Sequence, residues 1–217
     1  MQPEATAHDP VQVRRHPERG RYDRETVGAI LDEGLICHLG IVAQGRPWVL
    51  PTMYARCGDQ VYIHGSPGAR MLRTAAESPQ ICLTVTLLDG LVMARSAFNH
   101  SMNYRSVIVS GRARRVTSGA EKMRAFRALV DQVARGRWEE ARPPDRKELR
   151  STEVLALRLD QASAKVRTGP PQDAPVDLGL PVWAGELPLR MRAGRPRTAP
   201  DGDREVGVPE YLRRYRR

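Results

Sequence analysis

The sequence predicts an α+β fold, an antiparallel β-barrel with capping helices, and three observations carry the prediction. Apolar strand candidates follow one another closely through the first half of the chain, at 35–42, 47–54, 60–64, 81–88, 90–95 and 106–116. The links between them are short and turn-like, as in Gln44-Gly45-Arg46 and Cys57-Gly58-Asp59-Gln60. Links of that length join antiparallel neighbours, because parallel strands need a long crossover. Neither a GxGxxG motif nor a βαβ alternation is present, which excludes a dinucleotide-binding parallel sheet.

Taken in order, residues 1–22 read as a flexible N-terminal arm. Asp23 is an N-cap for a short helix that carries Val27, Ile30 and Leu31 on one face and stops at Gly34. After the strand at 60–64, Gly65-Ser66-Pro67-Gly68 forces a tight turn, and a helix begins at Ala69. Ser118-Gly119-Ala120-Glu121 is a capping-box pattern, and Met123, Phe126, Leu129, Val130 and Val133 follow it at helical spacing. A Pro143-Pro144 link, a short helical piece and a last strand at 154–159 complete the domain. From Pro170 the chain is rich in Pro, Gly and charge, interrupted by Leu180-Pro181-Val182-Trp183-Ala184-Gly185. The organisation is therefore an arm (1–22), a domain (23–185) and an Arg/Pro-rich tail (186–217).

Composition removes several function classes. The 217 residues, 41% of them hydrophobic, suffice for one domain with tails. No apolar run approaches the roughly 18 residues of a membrane span, and the first ten residues lack a signal-peptide pattern, so a cytoplasmic protein is expected. Cys37, Cys57 and Cys82 form no CxxC pair and supply no metal-ligand cluster; Cys37 and Cys82 read as buried thiols. The net charge of +10 invites a nucleic-acid reading, yet about half of the excess lies in 190–217, where nine Arg face four acids. No helix-turn-helix, zinc finger or aromatic platform accompanies it, so nucleic acid is not the expected partner.

Two segments could carry chemistry. In the turn at 65–70, backbone N–H groups at a helix N-terminus stand beside Ser66, His64 and Arg70, a set able to hold a phosphate. The same residues also fit an ordinary strand-to-helix turn with a surface Arg. The second segment, Phe98-Asn99-His100-Ser101-Met102-Asn103-Tyr104-Arg105-Ser106, reads as a polar loop before a strand. It is either a solvated hairpin loop or a source of two groups, Arg105 and Ser106, that reach the turn and complete an anion site.

Five segments together, 46–54, His64-Gly65-Ser66, Asp89-Gly90-Leu91-Val92, 103–107 and 181–185, resemble the pyridoxamine 5′-phosphate oxidase-like flavin-nucleotide-binding family, most closely its nitroimidazole-resistance subgroup. The resemblance spans roughly residues 14–185. It implies a split β-barrel, a homodimer, and FMN held between two protomers. It further implies that Val49, Leu50, Pro51 and Thr52 lie along the flavin, and that His64, Ser66, Arg70 and Met71 lie at the ribityl phosphate. Tyr104, Arg105 and Ser106 would be the polar group on the neighbouring strand. Trp183 would either cover the ring from the partner chain or plug down the C-terminal segment.

His64 and His100 are the candidates for catalysis, each with a plain structural alternative; His38 reads as structural. One departure matters. The Arg-x-His clamp of the vitamin-forming oxidases is replaced by Arg195-Pro196-Arg197 and Arg213-Arg214-Tyr215-Arg216-Arg217, so pyridoxine phosphate oxidation is not expected. The expected activity is that of an FMN-dependent oxidoreductase acting on an unassigned small molecule. The alternative is a carrier or sensor that holds flavin, haem or deazaflavin without turnover.

Overall fold

The structure, a computed structural model, describes residues 11–202 and 206–216. The arm is not free along its described length. Val11 is buried, a 3-10 turn spans Pro17–Arg19, and β1 (Gly20–Arg21) pairs with the strand at Gln161–Arg167. Residues 1–10 of the expected arm lie outside the described residues.

Asp23 caps α1 (Arg24–Glu33) by accepting from the Thr26 amide at 2.7 Å, and that hydrogen bond holds its carboxyl below the usual range. The helix buries Val27, Gly28, Ile30 and Leu31. It stops at Gly34 in an extended conformation open to any residue (φ −68°). What Gly34 supplies is the absence of a side chain: a Cβ there would lie 2.5 Å from both Tyr54 Oη and Val85 Cγ1.

Strands β2 (Ile36–Ala43), β3 (Arg46–Cys57) and β4 (Gln60–Gly65) form a meander. Gln44 and Gly45 link the first two with φ of 52° and 72°, the left-handed pair that a two-residue hairpin needs. After α2 (Arg70–Glu77), the two expected strands at 81–88 and 90–95 are a single β5 (Ile81–Met93) with a bulge between Leu88 and Gly90. Its hairpin partner β6 (Ser101–Gly111) starts five residues before the expected 106. The polar stretch is therefore mostly strand. Strand pairing satisfies its backbone, and its polar side chains find partners on neighbouring segments, so polarity does not force a loop there.

The short β7 (Arg114–Arg115) leads to α3 (Gly119–Val133). Ser118 caps it through the Glu121 amide, but the Glu121 carboxylate turns to Arg114 and Tyr62 instead of closing the box. The buried face of α3 is Ala125, Leu129 and Gln132, offset from the expected stripe that ended in the exposed Val133. Gln132 belongs inside because its amide donates to the carbonyls of Leu31 and Gly34, which end α1.

Helices α4 (Arg137–Glu140) and α5 (Arg146–Arg150) precede β8 (Glu153–Arg158) and β9 (Gln161–Arg167). The expected tail contributes two further elements. Strand β10 (Gly185–Pro188) pairs with β5, and helix α6 (Glu210–Arg213) sits where Tyr215 Oη donates to the Val133 carbonyl.

All ten strands join one antiparallel sheet in the order β1-β9-β6-β5-β2-β3-β4-β8-β7, with β10 on β5. No hydrogen-bonded pair closes this path among the described residues, so the expected barrel is a curled open sheet. The curl is tight enough for β6 and β8 to meet: a Cβ on Gly111 would lie 3.3 Å from Leu157. One core cluster accordingly draws Leu39, Tyr54, Leu83, Val107 and Leu155 from five strands, with Ile30 and Leu31 of α1 and Leu72 of α2. A smaller cluster of Tyr62, Val116, Ala125, Val154 and Ala156 seats α3 on the outer side of β4 and β8.

Candidate functional site

The meander creates a strand edge with an unusual amount of open backbone. Strand β3 pairs with β2 over residues 46–53 but with β4 only over 54–57. On the side away from β2, residues 46–53 have no strand neighbour, so their N–H and C=O groups on that side can meet a planar ligand. Val49 (66% exposed) and Pro51 face outward; Leu50 packs against the core, and Thr52 is half-buried.

The 65–70 turn closes one end of this edge. The Ser66 carbonyl accepts from the Ala69 amide at 2.9 Å, and its hydroxyl accepts from the Gly68 amide at 3.3 Å. Ala69 gives α2 no side-chain cap, and the amides of Arg70, Met71 and Leu72 have no acceptor among the described residues. Arg70 has no carboxylate partner there either. Its guanidinium lies over the Trp48 ring, 5.0 Å from the centroid. Three bare amides at the positive end of a helix, a hydroxyl and an unneutralised guanidinium together form an anion cradle. Trp48 is the member that sequence reasoning missed. Its neighbours in sequence gave no sign that the start of β3 would lie under α2.

The other expected site residues go elsewhere. His64 turns to the opposite side of β4, where its ring is 6.2 Å from that of Phe126. Its Nδ1 is buried without a partner, and burial pushes its pKa down. The ring is thus a neutral wedge beneath α3, not a phosphate ligand beside Ser66. Arg105 and Ser106 also fail to meet the turn, because β5, β2 and β3 stand between β6 and β4.

Arg105 is fully engaged. Nε and Nη2 donate to Asp89 at 2.9 and 2.7 Å, and Nη1 and Nη2 donate to Glu33 at 2.5 and 2.8 Å. Those hydrogen bonds, to Asp89 and then Glu33, raise its pKa further. One cation between two carboxylates leaves a net negative cluster, which repels a phosphate. Ser106 donates weakly to the Lys165 carbonyl at 3.4 Å, and Tyr104 is half-buried on the same strand. Trp183 does not plug the core: it is 68% exposed, with its ring laid on Gly185, where a Cβ would come within 2.8 Å.

His100 is exposed at the start of β6, and its Nδ1 lies 2.9 Å from the Ser96 carbonyl. The loop that carries it is tied to the segment after β9. Asp173, whose side chain is 2% exposed, accepts from the Arg95 amide at 2.8 Å and from its guanidinium at 2.7 Å. A second tie runs from Arg167 to Asn103 and on to Glu186, which accepts from Asn103 Nδ2 at 2.5 Å. No sequence signal marks these pairs, whose members lie 64 to 83 residues apart.

The thiols offer no competing chemistry. Cys37 is buried, its pKa pushed up to about 12 by burial, while Cys82 is half-buried and Cys57 exposed. Among the described residues no His/Cys/Asp/Glu group has metal-binding geometry, and no helix is long and apolar enough to cross a membrane.

The pyridoxamine 5′-phosphate oxidase family model matches residues 23–166, and the chain belongs to that family. Among solved structures, it is similar to the flavocytochrome Anf3 from Azotobacter vinelandii, with 43% identity over 96% of this chain and 97% of that one, and a TM-score of 0.89. The FAD and heme binding protein from Mycobacterium smegmatis matches at 36% identity over 91% and 97% of the two chains, with a TM-score of 0.86. A 5-nitroimidazole antibiotic resistance protein from Bacteroides thetaiotaomicron shares the fold at 20% identity, covering 68% and 86%, with a TM-score of 0.58. No curated protein matches the chain.

Proposed function

We propose that this protein is a flavin- and haem-containing oxidoreductase of split-barrel type. The observation that carries the flavin half is the cradle of Ser66, Arg70 and the amides of 70–72 at the open edge of β3. Its donors suit the phosphate of a flavin nucleotide, and residues 49–52 offer backbone to a ring system beside it. The two relatives matched over nine-tenths of the chain are named for flavin and haem together, one of them for FAD. That name favours FAD over the FMN expected from sequence. The haem half fits the donor set as well, since exposed imidazoles stand beside apolar surface. A flavin bound here supplies two-electron chemistry, and a haem supplies one-electron transfer. The chain's part is to hold both, keep water from the ring, and leave Arg70 and the α2 amides on the phosphates.

The same reading makes the working unit a homodimer. By strand register, Ile36 (57% exposed), Val42 (59%), Val49 (66%) and Ile108 (41%) share the outer face of the central strands with Pro51 and Leu88 (46%). Six exposed or outward-facing apolar side chains on one sheet face, interspersed with His38, Thr84 and Thr86, suit a protein partner better than solvent. Purification, followed by acid release and mass spectrometry of the bound small molecules, tests the assignment. FAD together with haem is the expected result. A colourless protein that takes up neither added FAD nor added FMN would refute it.

A further inference from the structure

We propose that His100 ligates haem iron through Nε2, an assignment that rests on the flavin-and-haem reading above. An axial imidazole needs three things: a lone pair on one nitrogen, a fixed acceptor for the N–H of the other, and apolar surface beside it for the porphyrin. Of the histidines in the described residues, His100 alone meets all three. The Ser96 carbonyl, 2.9 Å from Nδ1, can only accept; Nδ1 therefore carries the proton and Nε2 the lone pair. That carbonyl is itself held in place, because the preceding residue, Arg95, grips the buried Asp173 through amide and guanidinium.

The apolar surface is the ribbon β6–β5–β10. Met102, Leu91 and Leu187 stand directly opposite one another in one row, two residues along from His100. Met102 and Leu187 are each 51% exposed, and the Trp183 ring, 68% exposed, lies against Gly185 of the same ribbon. Phe98, on the His100 loop, is 94% exposed. Water-facing aromatic and thioether side chains in such density suit a flat apolar ligand better than solvent.

The other histidines each lack a requirement. His64 is wedged against Phe126 with its Nδ1 buried and unpartnered. His16 has a carboxylate partner in Glu18, but its neighbours in sequence are Arg14, Arg15, Pro17 and Arg19, with no exposed aromatic or thioether side chain among them. His38 lies on the outer sheet face between Pro51 and Thr84, without a hydrogen bond to set its tautomer.

The test is hemin titration of the full-length protein, read by absorption and electron paramagnetic resonance, with flavin absorbance followed in parallel. The wild type and His16→Ala are expected to give the same Soret band and a histidine-ligated signature. His100→Gly is expected to lose or shift that band while retaining flavin, and added imidazole is expected to restore it. A His100→Gly spectrum identical to the wild type would overturn the ligand assignment and leave the haem reading standing. If the wild type binds flavin but takes up no hemin, the haem reading falls and the assignment falls with it.

Discussion

At the residue scale, the two arginines that a sequence reading treats alike have opposite roles. Arg70 carries an unneutralised charge over Trp48, whereas Arg105 is spent on Asp89 and Glu33. Arg70→Ala is expected to weaken flavin binding by about 1.5–3 kcal/mol, the worth of a charge-assisted hydrogen bond, with little change in the thermal midpoint of the apoprotein. Arg105→Ala is expected to do the reverse. Its loss leaves two facing carboxylates and costs about 2 kcal/mol of stability, less than a fully buried pair because the side chain is 30% exposed. Flavin titration and urea denaturation of both variants separate the two effects. His64 gives a pH prediction. Burial lowers its folded pKa below the ordinary 6.5, so the unfolded chain takes up a proton first as pH falls. Stability is therefore full above that value and declines as pH drops below it. His64→Phe is expected to flatten the fall in unfolding free energy between roughly pH 7 and roughly pH 5, measured by urea melts across that range.

At the element scale, the boundaries of α1 show how close packing chooses a residue that backbone geometry does not require. Gly34 adopts an ordinary extended φ, but Tyr54 Oη and Val85 occupy the place of its side chain, and Tyr54 uses that hydroxyl to cap Leu31. Gly34→Ala is expected to cost about 1–3 kcal/mol through overpacking, seen as a lower denaturation midpoint with an unchanged m-value. Gly119, whose φ lies outside the left-handed region and where a Cβ meets nothing within 4 Å, serves as the control. The helix was legible in the sequence because its signals are local: an N-cap aspartate, an apolar stripe and a stop. The meander β2–β3–β4 and the turn into α2 were legible for the same reason, and with them the core of the anion cradle. The extent of β6 was not, because Asn103 and Arg105 are tolerated mid-strand only through partners distant in sequence, Arg167, Glu186, Glu33 and Asp89. Trp48 and Asp173 were invisible for that reason too. Each acquires its role when a separate segment folds onto it.

At the scale of the whole molecule, the curled sheet buries one face and leaves several apolar side chains exposed on the other. The inner face is closed by α1, α2 and the core they share with seven strands. Among the described residues no helix covers the outer face of β2, β3, β5 and β6, since α3 sits instead beyond β4 and β8. The open edge of β3 borders this uncovered face, so a second copy docked there would wall the flavin site from the side that its own protomer leaves open. In the proposed dimer, association and flavin retention are linked: whatever separated the protomers would remove one wall of the site and lower flavin affinity without touching the phosphate cradle. Ile108→Glu tests this at a position outside the cradle. Ile108 is 41% exposed and lies in register with Thr84, so a carboxylate there costs the isolated protomer little. In an apolar interface it would be an unpaired buried charge, at about 3–5 kcal/mol for each copy. Light scattering is expected to show a dimer for the wild type and a monomer for Ile108→Glu. The monomer is expected to keep its thermal midpoint in the absence of flavin and to bind flavin at least tenfold more weakly. A wild-type monomer at micromolar concentration that retains flavin would show that one chain completes the site alone.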